Sequence, residues 1–365
     1  MRGQQSFRSL ALTVVALAMG CGSGSNGDTQ TGPTGDASVN PGGDSSTPVQ
    51  GKDAQARDRS GAPVGVTWSV AESGTDKGLS AVIWAGDRFI AVGDGGTVLE
   101  SPDGVTWTAL ASGVTDDLRS LTWTGTRLVA VAADGKILTS ENGTSWTERG
   151  TNLKKLMRQV AWTGKLLSAV GREGNTAVSS DGVTWTTREN MDLYTFVPTS
   201  AVWTGNELIW VGYNSLTEVT FNEGMAFATK NGVTFTSLSP GYQCNSLFGV
   251  AWNGSEAISG LTMDYNGTLI GAGRNGEMFT MTLGNWYSGR WGEGATATRD
   301  VYAVVWTGSE AVAVGEGGLV LRSTTGQHRD WTRSDVPKGA DFTSLAWNDD
   351  RLVAVGSAGT IITSP

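Results

Sequence analysis

Eight residues in the second half of the sequence combine aromatic rings with charged or polar groups, the mixture that protein and glycan recognition sites use. They are Tyr213, Glu218, Phe221, Tyr242, Asp264, Tyr265, Arg274 and Trp291. Aromatic rings supply contact area, and polar groups fix the orientation of a bound partner. We therefore take these eight as the candidate partner-binding residues. The alternative is that these residues lie in loops without a function and that their aromatic rings pack against nearby residues.

Residues for catalysis or metal binding are scarce by comparison. The sequence has one histidine, His328, which excludes multi-histidine metal sites and argues against Ser-His-Asp catalysis. The glycines at 93–96 follow a strand pattern and indicate a hairpin turn, not a phosphate loop that opens a helix. We expect no catalytic residue, no metal and no cofactor. Paired carboxylates for glycoside hydrolysis stay open as an alternative.

A repeated tryptophan indicates the elements that carry these residues. It follows an apolar run and precedes a turn at Trp84, Trp123, Trp162, Trp203, Trp252, Trp306 and Trp347. The spacings are 39, 39, 41, 49, 54 and 41 residues. A period of about 40 residues with four short strands is typical of a β-propeller, because one such sheet cannot cover both its faces alone. In the second unit the strands are predicted at 118–123, 128–132, 136–140 and 144–147.

The turn between the third and fourth strands carries the most recognisable motif. It reads Ser-Pro-Asp-Gly-Val-Thr-Trp at 101–107 and recurs at 140–146, 179–185 and 229–235. The Asp or Asn accepts backbone hydrogen bonds, the Gly takes the left-handed conformation, and the aromatic residue fills space between blades.

This motif resembles the Asp-box, or BNR, repeat of sialidase-like and photosystem II assembly-factor-like propellers, within the wider WD40- and YVTN-like class. The resemblance covers residues 64–365, with one residue fewer between Asp and Gly than the family pattern has. It implies a fold and a protein-binding scaffold rather than a reaction. The alternative is a carbohydrate-binding or glycan-cleaving, sialidase-like propeller, which would need an arginine cluster, a Tyr with a Glu, and an Asp. No Arg-Ile-Pro signature lies near the first blade, and Arg119 and Arg158 recur at equivalent positions, as a structural repeat would place them.

The two ends of the repeat region complete each other. The last unit stops at residues 361–365, before the Gly-Val-Thr-Trp strand, and the missing sequence occurs at 65–68. We therefore expect an all-β, seven-bladed propeller of four-stranded antiparallel blades, closed by an N-terminal strand that joins the C-terminal blade. Closure removes the sheet edges that an open array would expose.

Two neighbouring units depart from the regular length. From the repeated tryptophan to the glycine after strand two is 12 residues in five units, but 21 in the fourth and 24 in the fifth. We expect both insertions in the loop between strands two and three, on the face opposite the Asp-box turns. With the long links at 188–199, 239–245 and 288–300 they would build a raised rim that holds the eight candidate residues. Tyr287 is expected to replace the structural tryptophan of the fifth blade.

The first 62 residues indicate export. Residues 1–21 form a signal peptide with a lipobox-like end, so we expect Cys21 to be lipidated. Residues 22–62 form a disordered low-complexity tether, and residues 63–365 form the propeller. The remaining cysteine, Cys244, is expected to be a loop residue. The protein would be secreted across the inner membrane of a bacterium and anchored in its envelope, at the outer membrane or cell surface.

The net charge of −9 argues against nucleic-acid binding. A protein partner is expected and a glycan is possible, whereas the membrane is contacted only through the lipid. The propeller itself is expected to be monomeric.

Overall fold

The computed structural model describes residues 67–150, 157–215, 223–238, 246–253, 268–274, 277–282, 285–290, 299–327, 330–337 and 339–365. Within these residues, 28 strands form seven four-stranded antiparallel sheets. Short 3₁₀ turns complete the secondary structure of the described part of the chain. The prediction of an all-β propeller with four-stranded antiparallel blades is confirmed.

Six blades, not seven, are contiguous in the chain, and each consists of four consecutive strands. Blades one to three are β2–β5 (Leu79–Trp84, Phe89–Gly93, Val98–Ser101, Thr108–Leu110), β6–β9 (Leu118–Trp123, Leu128–Ala132, Ile137–Ser140, Thr147–Arg149) and β10–β13 (Met157–Trp162, Leu167–Gly171, Asn175–Ser179, Thr186–Glu189). Blades four to six are β14–β17 (Phe196–Trp203, Leu208–Asn214, Gly224–Thr229, Thr236–Ser237), β18–β21 (Leu247–Trp252, Thr268–Gly273, Glu277–Thr282, Asn285–Arg290) and β22–β25 (Val301–Trp306, Ala311–Gly315, Leu319–Ser323, Thr332–Arg333).

The remaining sheet draws on both ends of the repeat region. It combines β26 (Phe342–Trp347), β27 (Leu352–Gly356) and β28 (Ile361–Ser364) with β1 (Ser69–Ala71), in the order β1-β28-β27-β26. Ser69 pairs with Thr363 and Ala71 pairs with Ile361. The N-terminal strand therefore stands where the other blades have their fourth strand, as the shared Gly-Val-Thr-Trp sequence predicts.

The first strands of the blades form a ring. Each contacts the first strand of the next blade, and β26 contacts β2 to complete the circle. Every first strand ends at a repeated tryptophan, from Trp84 of blade one to Trp347 of the composite sheet. The tryptophans thus mark the same edge of every blade.

The hydrophobic core lies between blades rather than within one of them. In the described residues, each neighbouring pair of blades shares one buried cluster, and the pair formed by the composite sheet and blade one is no exception. Second strands such as Phe89–Gly93 and Leu352–Gly356 are buried at every position, because a blade covers each of their two faces. This packing explains why one repeat unit would not be stable alone.

The Asp-containing turns carry the predicted hydrogen bonds. In blade one, Asp103 Oδ1 accepts from the backbone N of Val105 (2.9 Å) and of Thr106 (2.8 Å). Trp107 packs against the cluster shared with the composite sheet, so it fills space between blades as predicted. The fourth strand begins later than predicted, however: β9 starts at Thr147, and residues 144 and 145 belong to the turn.

The expected position of one insertion is wrong. In blade five, β18 ends at Trp252 and β19 begins at Thr268, whereas β19 and β20 are separated by only three residues. The extra residues therefore lie between strands one and two. In an antiparallel blade that connection emerges at the edge opposite the loop between strands two and three.

The insertion of blade four does lie between its second and third strands. Residues 216–222 of this connection fall outside the described residues. The flanking strands are lengthened, and β15 pairs with β14 as far as Asn214 opposite Phe196. Part of the extra length therefore extends the blade itself.

Candidate binding site at the axial mouth

Every first strand carries a β-bulge at the same place. The pairing of the first and second strands shifts at one residue near the start of the first strand, which is left without a partner in the ladder. These residues are Ser80, Arg119, Arg158, Thr199, Phe248, Tyr302 and Thr343. A bulge re-aims a side chain relative to the rest of its strand. The seven bulges form a ring of seven side chains, which we call the mouth ring.

A close backbone approach accompanies these bulges. In blade one, the backbone N of Asp94 donates to the carbonyl of Gly78, the residue before β2, at 2.9 Å. A Cβ on Gly93 would lie 2.0 Å from that carbonyl oxygen. Gly212, Gly315 and Gly356 meet equivalent carbonyls at 2.0–2.1 Å in their blades. Glycine at this place in most blades leaves room for the crossing beside the bulge. In blade two Ala132 occupies the place, and the backbone N of Ala133 still donates to the carbonyl of Asp117 at 2.9 Å.

All seven members of the mouth ring line one cavity of about 270 Å³, together with Gln159 and Pro198. Because the bulges lie near the starts of the first strands, the cavity opens at the edge where those strands begin. We call this edge the loop face, since the links between blades and the turns between strands two and three lie there. The edge with the Asp-containing turns and the strand one to two turns is the turn face.

Two hydroxyl groups of the cavity lining form hydrogen bonds between neighbouring first strands. Thr199 Oγ1 lies 2.7 Å from the carbonyl oxygen of Leu247 in the next blade, and Thr343 Oγ1 donates to that of Leu79 at 2.6 Å. Gln159 Nε2 donates to the carbonyl of Thr199 at 2.7 Å. These contacts join neighbouring first strands, so the three side chains stabilise the scaffold of the mouth.

One arc of the mouth ring is cationic. Arg119 and Arg158 come from neighbouring blades, and neither makes a hydrogen bond or ion pair with another residue of the described ranges. Burial lowers the pKa of the Arg158 guanidinium, and the like charges of Arg172 and Arg119 lower it further. The cavity thus has a local excess of positive charge in a protein of net charge −9.

The arc beyond Thr199 is aromatic. The ring centroids of Phe248 and Tyr302 are 5.5 Å apart, with the planes tilted by 55°. Burial raises the pKa of the Tyr302 phenol to about 12, and the carboxylates of Asp300, Glu316 and Asp341 contribute to the same shift. Carboxylates therefore act electrostatically on Tyr302 of the aromatic arc, whereas the other arc carries two arginines.

Few of the eight candidate residues lie in the described ranges. Tyr213 is in β15 and pairs with Val197, the residue before Pro198 of the cavity lining. Arg274 is exposed in the short turn after β19, on the loop face, where its backbone N donates to the carbonyl of Ser246 at 3.0 Å. The structure thus describes two members of the predicted rim, both on the loop face.

The other six candidates, Glu218, Phe221, Tyr242, Asp264, Tyr265 and Trp291, lie outside the described residues, as do Cys21, Cys244 and His328. The predicted place of these six candidates in the rim stays a prediction. Tyr287 pairs with Thr280 in the ladder of blade five, and its predicted packing role stays a prediction.

Sequence reasoning missed the mouth ring. Arg119 and Arg158 were interpreted as a structural repeat, and they do occupy equivalent positions, but that position faces the cavity. A signal was present: the second residue of the predicted first strand varies among Ser, Arg, Thr, Phe and Tyr, while apolar residues recur around it.

The described ranges hold no group of three or more His, Cys, Asp or Glu side chains that could bind a metal ion. Within the same ranges, no helix has the length and hydrophobicity needed to cross a membrane.

Comparisons with known proteins agree with the fold. The family model described as the DUF6242 beta propeller domain matches residues 65–202. No curated protein matches the sequence. Among solved structures, "YCF48 bound to D1 peptide" is similar at 18% identity and a TM-score of 0.61, covering 81% of this chain and 96% of that one.

Two further structures show the same similarity. YCF48 from Cyanidioschyzon merolae has 16% identity and a TM-score of 0.62, over 81% of this chain and 98% of that one. The WD40 beta propeller domain of Doa1 has 12% identity and a TM-score of 0.56, over 81% and 95% of the two chains. At these identities the similarity shows the propeller fold alone.

Proposed function

We propose that this protein is a non-catalytic propeller that binds a protein partner through its loop face. The observation that carries this proposal is the pair of exposed apolar side chains between blades three and four. Met191 is 73% exposed and Tyr194 is 49% exposed, in a part of the chain whose other large apolar side chains are mostly buried. Methionine and tyrosine are among the residues enriched at protein interfaces.

The position of this link supports the proposal. Asn190, at its start, donates its backbone N to the carbonyl of Gly174 at 2.7 Å, and Thr195, at its end, accepts from Ser215 N at 2.7 Å. The link is thus held between the strand two to three turns of two blades, close to Tyr213. The similar YCF48 structure was solved with a peptide of D1, which favours a protein partner for this propeller as well.

The lining of the cavity argues against the glycan-cleaving alternative. Its nine residues include two arginines and no carboxylate. Glycoside hydrolysis requires a carboxyl acid and a carboxylate that flank the scissile bond. The mouth therefore favours binding over cleavage, and we propose no enzymatic activity.

A crosslinking experiment tests the proposal. A photoreactive amino acid replaces Tyr194 in one variant and Val183, which is 41% exposed on the turn face, in a matched control. We expect one specific crosslinked protein from position 194 and none from position 183 in the producing cells. The double substitution of Met191 and Tyr194 by Ala should abolish capture of that protein. Equal crosslinking from both positions, or capture that survives the double substitution, would contradict the proposal.

We also propose export, lipidation of Cys21 and anchoring at the outer membrane or cell surface, with residues 22–62 as the tether. The apolar run after Arg8 and the cysteine that follows it support this proposal. Metabolic labelling with an alkyne fatty acid should label the full chain and leave the Cys21→Ala variant unlabelled. Labelling that persists in the variant would refute lipidation at this residue.

A further inference from the structure

The mouth ring contains two neighbouring cations and two neighbouring aromatic rings around a cavity of about 270 Å³. This volume lies just below the range of about 300–1,000 Å³ for sites that hold a whole small molecule. One amino-acid residue of an extended segment is a better match in size. The question is which chemical group such a residue must carry.

The two arginines of the cationic arc require that the bound group be an anion. Arg119 and Arg158 have no partner among the described residues, and Arg158 is partly buried. A guanidinium offers a planar fork of donors that fits a carboxylate through two parallel hydrogen bonds. A bound carboxylate would also offset the mutual repulsion of these side chains with Arg172.

The rest of the ring restricts the kind of anion. The Phe248 and Tyr302 rings supply an apolar surface, so the anion should be attached to an apolar or aromatic group. The carboxylates of Asp300, Glu316 and Asp341 act electrostatically on Tyr302, and their charges disfavour a dianion such as phosphate more than a single carboxylate.

We infer that the axial mouth binds a peptide carboxylate that lies next to an apolar or aromatic side chain, with Arg119 and Arg158 on the carboxylate and Phe248 and Tyr302 on the side chain. The carboxylate is either a chain end or an acidic side chain, since the two share one chemistry. This inference rests on the proposed function and adds the chemistry of the segment that the partner inserts.

Binding of three short peptides to the full-length protein tests the inference. The probes are acetyl-Gly-Gly-Phe with a free carboxylate, the same peptide as its C-terminal amide, and acetyl-Gly-Glu-Phe amide. Line broadening and ring-current shifts of the Phe protons report binding next to the aromatic arc. We expect the amide without Glu not to bind. Binding of the free acid identifies a chain end, and binding of the Glu peptide identifies a side chain.

Variants assign the binding to the mouth ring. Arg158→Gln and Arg119→Gln should each weaken binding by about tenfold or more, because hydrogen bonds to charged groups contribute at least that much. Lys165→Gln is the matched control: it removes one charge from the same blade as Arg158, in an exposed turn at the opposite edge. It should leave the affinity unchanged. Melting curves for all three variants check that the fold is retained.

Several results would overturn the inference. These are equal binding of the neutral amide, no loss with Arg158→Gln, an equal loss with Lys165→Gln, and tighter binding of inorganic phosphate or of a hexuronate than of any peptide. The last result would point to a phosphate or a sugar acid instead. If the peptides fail while position 194 still crosslinks a partner, the inference is wrong and the proposed function stands.

Discussion

The substitution Trp68→Ala tests whether the N-terminal strand closes the propeller. Trp68 lies immediately before β1, is 6% exposed and belongs to the cluster shared by blade six and the composite sheet, with Phe342 and Ile362. A buried tryptophan removes about 150–250 Å² from water, which at about 25 cal/mol per Å² corresponds to ~4–6 kcal/mol as an upper limit. Truncations of buried Phe or Trp to Ala cost about 3–5 kcal/mol. We expect a loss of that size in the free energy of unfolding.

Denaturant unfolding followed by circular dichroism measures this loss. The control is Val70→Ala in β1, two residues after Trp68, where the side chain is 40% exposed. It should change the free energy of unfolding by no more than about 0.5 kcal/mol. A loss below about 1 kcal/mol for Trp68→Ala would refute the closure, since an unpaired terminal segment is expected to tolerate the change. Deletion of residues 64–74 should likewise lower the melting temperature far more than deletion of residues 22–60.

Three further predictions concern turns and the mouth. Hydrogen bonds from backbone amides of the turn lower the pKa of Asp181 to about 2 from 3.8. The ionised carboxylate therefore stabilises the fold above about pH 4, and this stabilisation is lost as the pH falls toward 2. An NMR titration in which Asp181 has the pKa of an ordinary carboxyl group would contradict this. Gly96→Ala should destabilise far more than Gly113→Ala in denaturant unfolding. Both glycines have positive φ, which costs Ala about 1–2 kcal/mol, but only the first would place a Cβ 1.9 Å from the carbonyl oxygen of Val114. In an ultraviolet titration, one tyrosine should ionise near pH 12 and disappear in Tyr302→Phe; a profile that the substitution leaves unchanged would be inconsistent with burial of this phenol.

The repeat was predictable because its signals are local. Each first strand ends at its tryptophan. In the turns of blades one to four the Asp or Asn accepts from amides two and three residues later, so a short window of sequence contains both partners. The closure was predictable because four residues at 65–68 repeat a sequence found immediately before the fourth strand of blades one and three. Neither inference needs a distance between remote residues.

The mouth ring and the blade-five insertion were not predicted, for different reasons. A bulge is a property of pairing between two strands, and one sequence of six residues does not reveal which of them is unpaired. The insertion was placed by counting from Trp252 to Gly276, a distance that includes two connections. The run Leu269–Gly273 would have resolved the ambiguity, because it matches the buried second strand Phe89–Gly93 of blade one.

Because β1 pairs with β28, the N-terminal strand has no partner until almost the whole chain has been synthesised. Ser69 Oγ lies 3.4 Å from the carbonyl oxygen of Thr363, a residue made 294 positions later. At about 5–20 residues per second, the ribosome needs roughly 15–60 s to supply that partner. Throughout this interval a hydrophobic indole and an open strand edge are available to other nascent chains. The completed ring is thus protected from aggregation, but the route to it passes through a vulnerable stage where a chaperone has time to act.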